Sequence, residues 1–168
     1  SDERKGIYYS MSFSPLGFFN GWIEYLKYEK GLELNDLGFL WRDDYTQTKL
    51  GLQFQSFDPW NMVRNSSIIL QGDMEENLDG LNLGKSIELS YDIQFTNFWG
   101  FAGGFKKYME AYNDREIFRT YDDSIKCCPP IYLPEVNQYS INISTDPYQS
   151  VSALISRRSQ KSSINETY

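Results

Sequence analysis

The side chains best suited to chemistry in this sequence come in adjacent pairs. Asp43-Asp44, Glu75-Glu76 and Asp122-Asp123 are doubled carboxylates, and Cys127-Cys128 is a doubled thiol followed by Pro129-Pro130. A retaining glycosidase needs two carboxyl groups about 5–5.5 Å apart and an inverting one about 6.5–9.5 Å. Neighbouring residues on a strand point to opposite faces, so an adjacent pair is not such a dyad. The acidic run Asp73, Glu75, Glu76, Asn77 and Asp79 has oxygen ligands for a calcium ion but not the spacing of a calcium loop. Adjacent cysteines rarely meet disulfide geometry, and with no His in the chain two thiolates make a poor metal site. The same lack of His removes the commonest general base. Neither a nucleophile elbow, a phosphate-binding loop nor a zinc motif occurs. The expectation is therefore no catalytic residue, no metal and no cofactor held by these residues.

The elements that would carry any site read as strands. In residues 86–96, Ile87, Leu89, Tyr91, Ile93 and Phe95 alternate with Ser86, Glu88, Ser90, Asp92, Gln94 and Thr96. A period of two sustained this long makes a strand with one greasy and one wet face. Its length is roughly the 9–11 residues that a tilted strand needs to cross a bilayer. Ile7, Tyr9, Met11 and Phe13 repeat the pattern, as do Leu50, Leu52 and Phe54, then Tyr139, Ile141 and Ile143, and more weakly Val151, Ala153 and Ile155. Residues 21–29, 62–71 and 99–112 read as less regular strands. The count is seven or eight strands with little or no helix. Pro15-Leu16-Gly17, Asp58-Pro59-Trp60 and Asp146-Pro147 read as short turns, and residues 72–84 and 113–135 as long polar loops.

Composition narrows the setting. Aromatic residues make up 17% of the chain (13 Tyr, 11 Phe, 4 Trp), well above an ordinary soluble domain. Trp22, Trp41, Trp60 and Trp99 fall near strand ends, where rings at headgroup depth form the girdles of a membrane barrel. The net charge of -7, with no long basic run, argues against a nucleic-acid partner. No run of apolar residues is long enough for a spanning helix. That leaves an all-β, antiparallel meander, a transmembrane β-barrel or a fragment of a larger one, as the expected fold over residues 1–168. Lipid would face Ile87, Leu89, Tyr91, Ile93 and Phe95. The lumen would face Glu88, Asp92 and Gln94, joined by Arg42 and Asp44, whose i, i+2 spacing puts them on one face of a strand. The charged opening Ser1-Asp2-Glu3-Arg4-Lys5 has no apolar stretch behind it, as expected of a mature or internal fragment.

The run Asn35-Asp36-Leu37-Gly38-Phe39-Leu40-Trp41-Arg42-Asp43-Asp44 is the most distinctive in the chain. With Phe95-Thr96-Asn97-Phe98-Trp99, Asp114-Arg115 and Arg119, it resembles an uncharacterised bacterial domain family. That family is the C-terminal barrel domain behind a family-9 carbohydrate-binding-module-like domain, in Gram-negative surface proteins often labelled membrane-associated hydrolases. The chain departs from the family pattern after Arg119, where Thr120-Tyr121-Asp122-Asp123 stands in place of a Gly-Gly-Pro-like turn. The resemblance implies a bacterial outer-membrane location, the lipid bilayer as partner, and carbohydrate met through another domain. Two rivals stay open: a soluble β-sandwich carbohydrate-binding module, with Ile87 to Phe95 buried between sheets, and a glycoside-hydrolase-associated domain. Oligomeric state, ligand and full strand number are not legible at this level.

Overall fold

A computed structural model describes residues 5–30, 32, 42, 44–114, 130–149 and 152–162. Eight strands form one antiparallel sheet in the order β1 (Gly6–Leu16), β2 (Phe19–Tyr28), β3 (Tyr45–Ser56), β4 (Val63–Glu76), β5 (Asn82–Phe95), β6 (Gly100–Tyr108), β9 (Val136–Ser144) and β10 (Leu154–Ser162). Two short strands, β7 (Ala111–Asn113) and β8 (Ile131–Leu133), pair with each other within the β6–β9 connection. The all-β antiparallel meander is thus observed, and no helix occurs among the described residues. The sheet is open: β1 and β10 are its two edges and do not touch.

Connections alternate in length between the two ends. One end carries tight turns of two to nine residues, after β1, β3, β5 and β9. The other carries connections of sixteen, five and twenty-seven residues, after β2, β4 and β6. The five-residue turn corrects the long loop expected over residues 72–84. The Asp, Glu and Gly content there suggests a loop, yet β4 runs on to Glu76 and β5 starts at Asn82. Asp73 and Glu75 stay on the wet face, where the Gln47 side chain donates to both (3.3 and 2.9 Å), and Met74 takes the other face.

Register decides which residues share a face, because directly paired residues in an antiparallel sheet project to the same side. One hydrogen-bonded row runs Phe13, Gly21, Leu52, Leu70, Leu89, Phe105, Tyr139. The row beside it runs Phe19, Phe54, Ile68, Tyr91, Gly103, Ile141. From β1 to β9 every residue of both rows is apolar, aromatic or glycine, and in the edge strand β10 the rows end in Ser159 and Arg157, so the alternation of single strands adds up to one apolar face. Tyr91 leans over Gly103 on that face, in the space a Cβ would fill.

Among the described residues nothing covers this face. Leu50 is 53% exposed, Leu70 45%, Leu89 41% and Ile141 48%, while Tyr45 and Ala111 are the sole buried hydrophobic residues among those described. A folded chain with so small a core of its own must find the solvent for its apolar side elsewhere.

Candidate functional site

The first candidate is the apolar face, and its outline follows from where it stops. Toward the long-loop end it is bounded by Tyr9 and Tyr25, which stack at 6.5 Å between centroids, and by Phe105 and Tyr139 at 5.1 Å. The row through Tyr9 and Tyr25 reaches β5 at Lys85, whereas the row through Phe105 and Tyr139 reaches it at Leu89, four residues further on. The band therefore climbs obliquely across the hydrogen-bonded rows. Four residues over six strand spacings (β1 to β9) is a slope of about 25°, and over four (β2 to β6) about 35°. From Ile87 to Phe95 it covers about 26 Å along β5, or about 22–24 Å once tilted.

At the tight-turn end the turns carry exposed aromatic rings. Phe57 is 73% exposed, Trp60 76%, Trp99 46% and Tyr148 82%. Phe13, Phe19 and Phe54 form a chain of ring contacts at 5.8 and 4.7 Å. Phe98 holds a left-handed φ of 62°, unusual for an aromatic residue. Its ring meets Tyr148 edge-on at 5.5 Å and lies 4.6 Å from the Arg64 guanidinium, contacts that tie this turn to its neighbours. Of the four tryptophans expected in girdles, Trp60 and Trp99 lie in this rim and Trp41 is outside the described residues. Trp22 departs from the expectation. It pairs with Ser12 and Gly51 on the wet face and lies over Gly51, where a Cβ would collide with the indole. Both faces of β2 look apolar in sequence, and the glycine across the strand decides which one takes the ring.

The second candidate is the opposite, polar face. Glu88 pairs with Lys106 at 3.1 Å and accepts from Gln71 at 3.4 Å. Gln94 accepts from Asn65 at 3.1 Å, and Gln138 donates to Gln160 at 3.3 Å. Asp92 is exposed and borders a shallow hollow of about 250 Å³ with Ser67, Ser90, Ser140 and Asn142. A neighbouring hollow of about 260 Å³ opens where Gly104 stands beside Ser90 and Ser140, with Lys106, Gln138 and Arg158 around it. The chemistry on offer is hydrogen bonding and charge along a wet surface. Ile87, Leu89, Tyr91, Ile93 and Phe95 thus fall on the apolar face and Glu88, Asp92 and Gln94 on the polar one, in the arrangement their alternation implies.

Arg42 and Asp44 are placed differently from the expectation. They precede β3 at the long-loop end and do not line the wall of the sheet. Arg42, 5% exposed, donates from Nε to the Asp44 backbone carbonyl and through both terminal nitrogens to the Asp114 carboxylate, at 2.7 Å each. Asn77 donates to Asp114 as well, at 3.3 Å. The Asp44 carboxylate accepts from the Leu78 amide at 2.8 Å and faces Lys30 at 3.7 Å. The result is a latch joining the β2–β3, β4–β5 and β7–β8 connections, and it brings together two of the stretches that carried the family resemblance. Among the described residues no group of three or more acidic, Cys or His side chains converges as metal ligands. Asp43, Asp122, Asp123, Cys127 and Cys128 lie outside the described residues.

The latch carries a pH dependence. Hydrogen bonds from Arg42, then its positive charge, with Asn77 adding a further donor, hold the Asp114 carboxyl below its ordinary value of 3.8 against the opposing effect of burial. A carboxyl held low in the folded state adds stability that is present above its unfolded pKa and lost as pH falls through the folded value. Resistance to denaturant should therefore drop between about pH 5 and about pH 2. The drop should be smaller in Asp114→Asn, and equal slopes for the two proteins would remove Asp114 from the account.

Fold and surfaces together define an amphipathic, open, antiparallel β-sheet with one uncovered apolar face. Residues 1–166 match the family described as a domain of unknown function (DUF5916), and the chain belongs to that family. Neither a curated protein nor a solved structure matches the chain.

Proposed function

We propose that this domain is a wall segment of a bacterial outer-membrane β-barrel, its apolar face in lipid and its polar face toward the lumen. The observation that carries the reading is the uncovered apolar face running across the sheet. Exposed apolar patches on soluble monomers seldom exceed a few hundred Å². Over β1 to β9 this one is roughly 30 Å wide and about 22–24 Å tall, on the order of 700 Å². Its oblique slope comes near the strand tilt of about 35–45° in membrane barrels, and its height near their apolar band of about 25 Å. Tight turns at one end with long connections at the other fit the same architecture.

The edges favour a segment over a closed eight-stranded barrel. Bare strand edges are not tolerated in hydrocarbon, and β1 and β10 stand apart without contact. Further strands of a larger barrel would pair with them. The role is structural, or concerned with passage along the polar face, and any carbohydrate would be handled by another domain of the parent protein.

Washing membranes at high salt and high pH tests the reading in the full-length protein. It should stay with the outer membrane and come off in detergent alone. Recovery in the soluble fraction would mean that a second protein layer covers the apolar face, and a β-sandwich would replace the barrel.

A further inference from the structure

Charge is sorted between the two faces of the sheet as sharply as polarity is. On the polar face the strands carry Glu24, Asp73, Glu75, Glu88 and Asp92 with Lys49, Lys106 and Arg158, an acidic balance. On the apolar face they carry Lys27, Lys85, Lys107, Arg157 and Lys161 against a single carboxylate, Glu76. In a chain of net charge -7 this is a local reversal of sign.

These cations share one position relative to the apolar band. Lys27 is two residues beyond Tyr25, Lys85 two beyond Ile87, and Lys107 two beyond Phe105, each toward the long-loop end. Lys107 reaches Glu135 at 3.0 Å, while Lys27, Lys85 and Lys161 have no ionic partner among the described residues. The cationic line climbs with the band. Lys27 shares a row with Thr46, Glu76 and Asn82, whereas Lys107 and Lys161 share the row of Ile87. Arg157 stands two rows nearer the band centre, in the row of Tyr91, Gly103 and Ile141, at the open edge of the last strand. At the tight-turn end the corresponding charge is Arg64, at the bulge before Asn65, and it is turned over Phe98.

Resting on the barrel reading, we infer that this rim binds the phosphate groups of anionic lipids in the leaflet at the long-loop side. A lysine just outside an apolar band lays its methylene stem on the band and its ammonium among the headgroups. The cations are spread along a line and do not converge, which suits a row of lipid headgroups and gives no pocket for one free anion. Near a membrane surface each such cation strengthens the attraction to anionic lipid about fivefold.

The test uses the full-length protein inserted into phosphatidylcholine vesicles with and without phosphatidylglycerol, then extracted in mild detergent and examined for co-purifying lipid. Wild-type protein should retain phosphatidylglycerol selectively. The combined Lys27→Gln, Lys85→Gln, Lys107→Gln and Lys161→Gln variant should lose at least tenfold of that selectivity, while Lys49→Gln with Lys106→Gln on the polar face retains it. If the fourfold variant does not fold, Lys27→Gln with Lys161→Gln should still show a clear partial loss. Undiminished retention in the rim variants would overturn the proposal, as would complete displacement of the lipid by inorganic phosphate. Failure of the wild-type protein to enter neutral vesicles would instead sink the barrel reading itself.

Discussion

Arginine in place of Leu89 should keep the full-length protein out of the membrane, because residue 89 sits inside the apolar band, one same-face position from its midpoint at Tyr91 and paired with Leu70 and Phe105. A guanidinium at the midplane of a barrel's lipid face costs about 2–4 kcal/mol. That corresponds to a roughly 30- to 700-fold loss in the ratio of inserted to uninserted chain. Leu70→Arg should do the same, and Tyr91→Arg and Ile93→Arg also fall on this face. Ser90→Arg is the control. It changes the neighbouring residue on the polar face, beside a hollow with room for the longer side chain, and should insert at nearly the wild-type level. Denaturant titration of folding into vesicles would measure all of these. Normal insertion of Leu89→Arg would exclude lipid from this face.

Removing the Arg42 guanidinium should have the next largest effect, and it should be local. Arg42→Ala takes away a side chain that is 4% exposed and leaves the Asp114 carboxylate, 19% exposed, without its bidentate partner. Breaking a fully buried pair costs about 3–5 kcal/mol, and the partial exposure of Asp114 brings the expected loss to about 2–4 kcal/mol. Arg42→Lys should recover only part of it, because an ammonium lacks the planar fork that meets both carboxylate oxygens. The three connections joined by the latch should loosen together. Hydrogen exchange at the Leu78 amide, which donates to Asp44, should therefore speed up well before the sheet unfolds. Exchange at Leu78 that is unchanged in Arg42→Ala would show that the loops are held by something else.

The strands were legible in the sequence wherever apolar and polar residues alternate strictly, as at Ile87 to Phe95, since a side chain in an extended chain has only two faces to choose between. Residues 72–84 read as a loop because Asp, Asn and Gly favour turns and Glu is scarce in strands. In this case the carboxylates find a donor in Gln47, on a strand more than twenty residues away. Trp22 reads as a girdle residue from its place near a strand end, and nothing local in β2 distinguishes its two faces. Arg42 looked like half of a pair with Asp44, whereas its carboxylate partner is 72 residues further along the chain.

By itself the sequence determined the class of fold, the content of each strand face and the lack of any motif that commits to catalysis, all of which rest on local periodicity and residue type. Only the tertiary structure decided how those faces add up. Inter-strand register aligned the separate apolar stripes into one oblique band and left it uncovered. It also placed the lysines, each an ordinary solvated charge in sequence, along one rim of that band. Register is set by pairings between residues far apart in the chain, and a one-residue slip would turn every side chain of a strand to the other face.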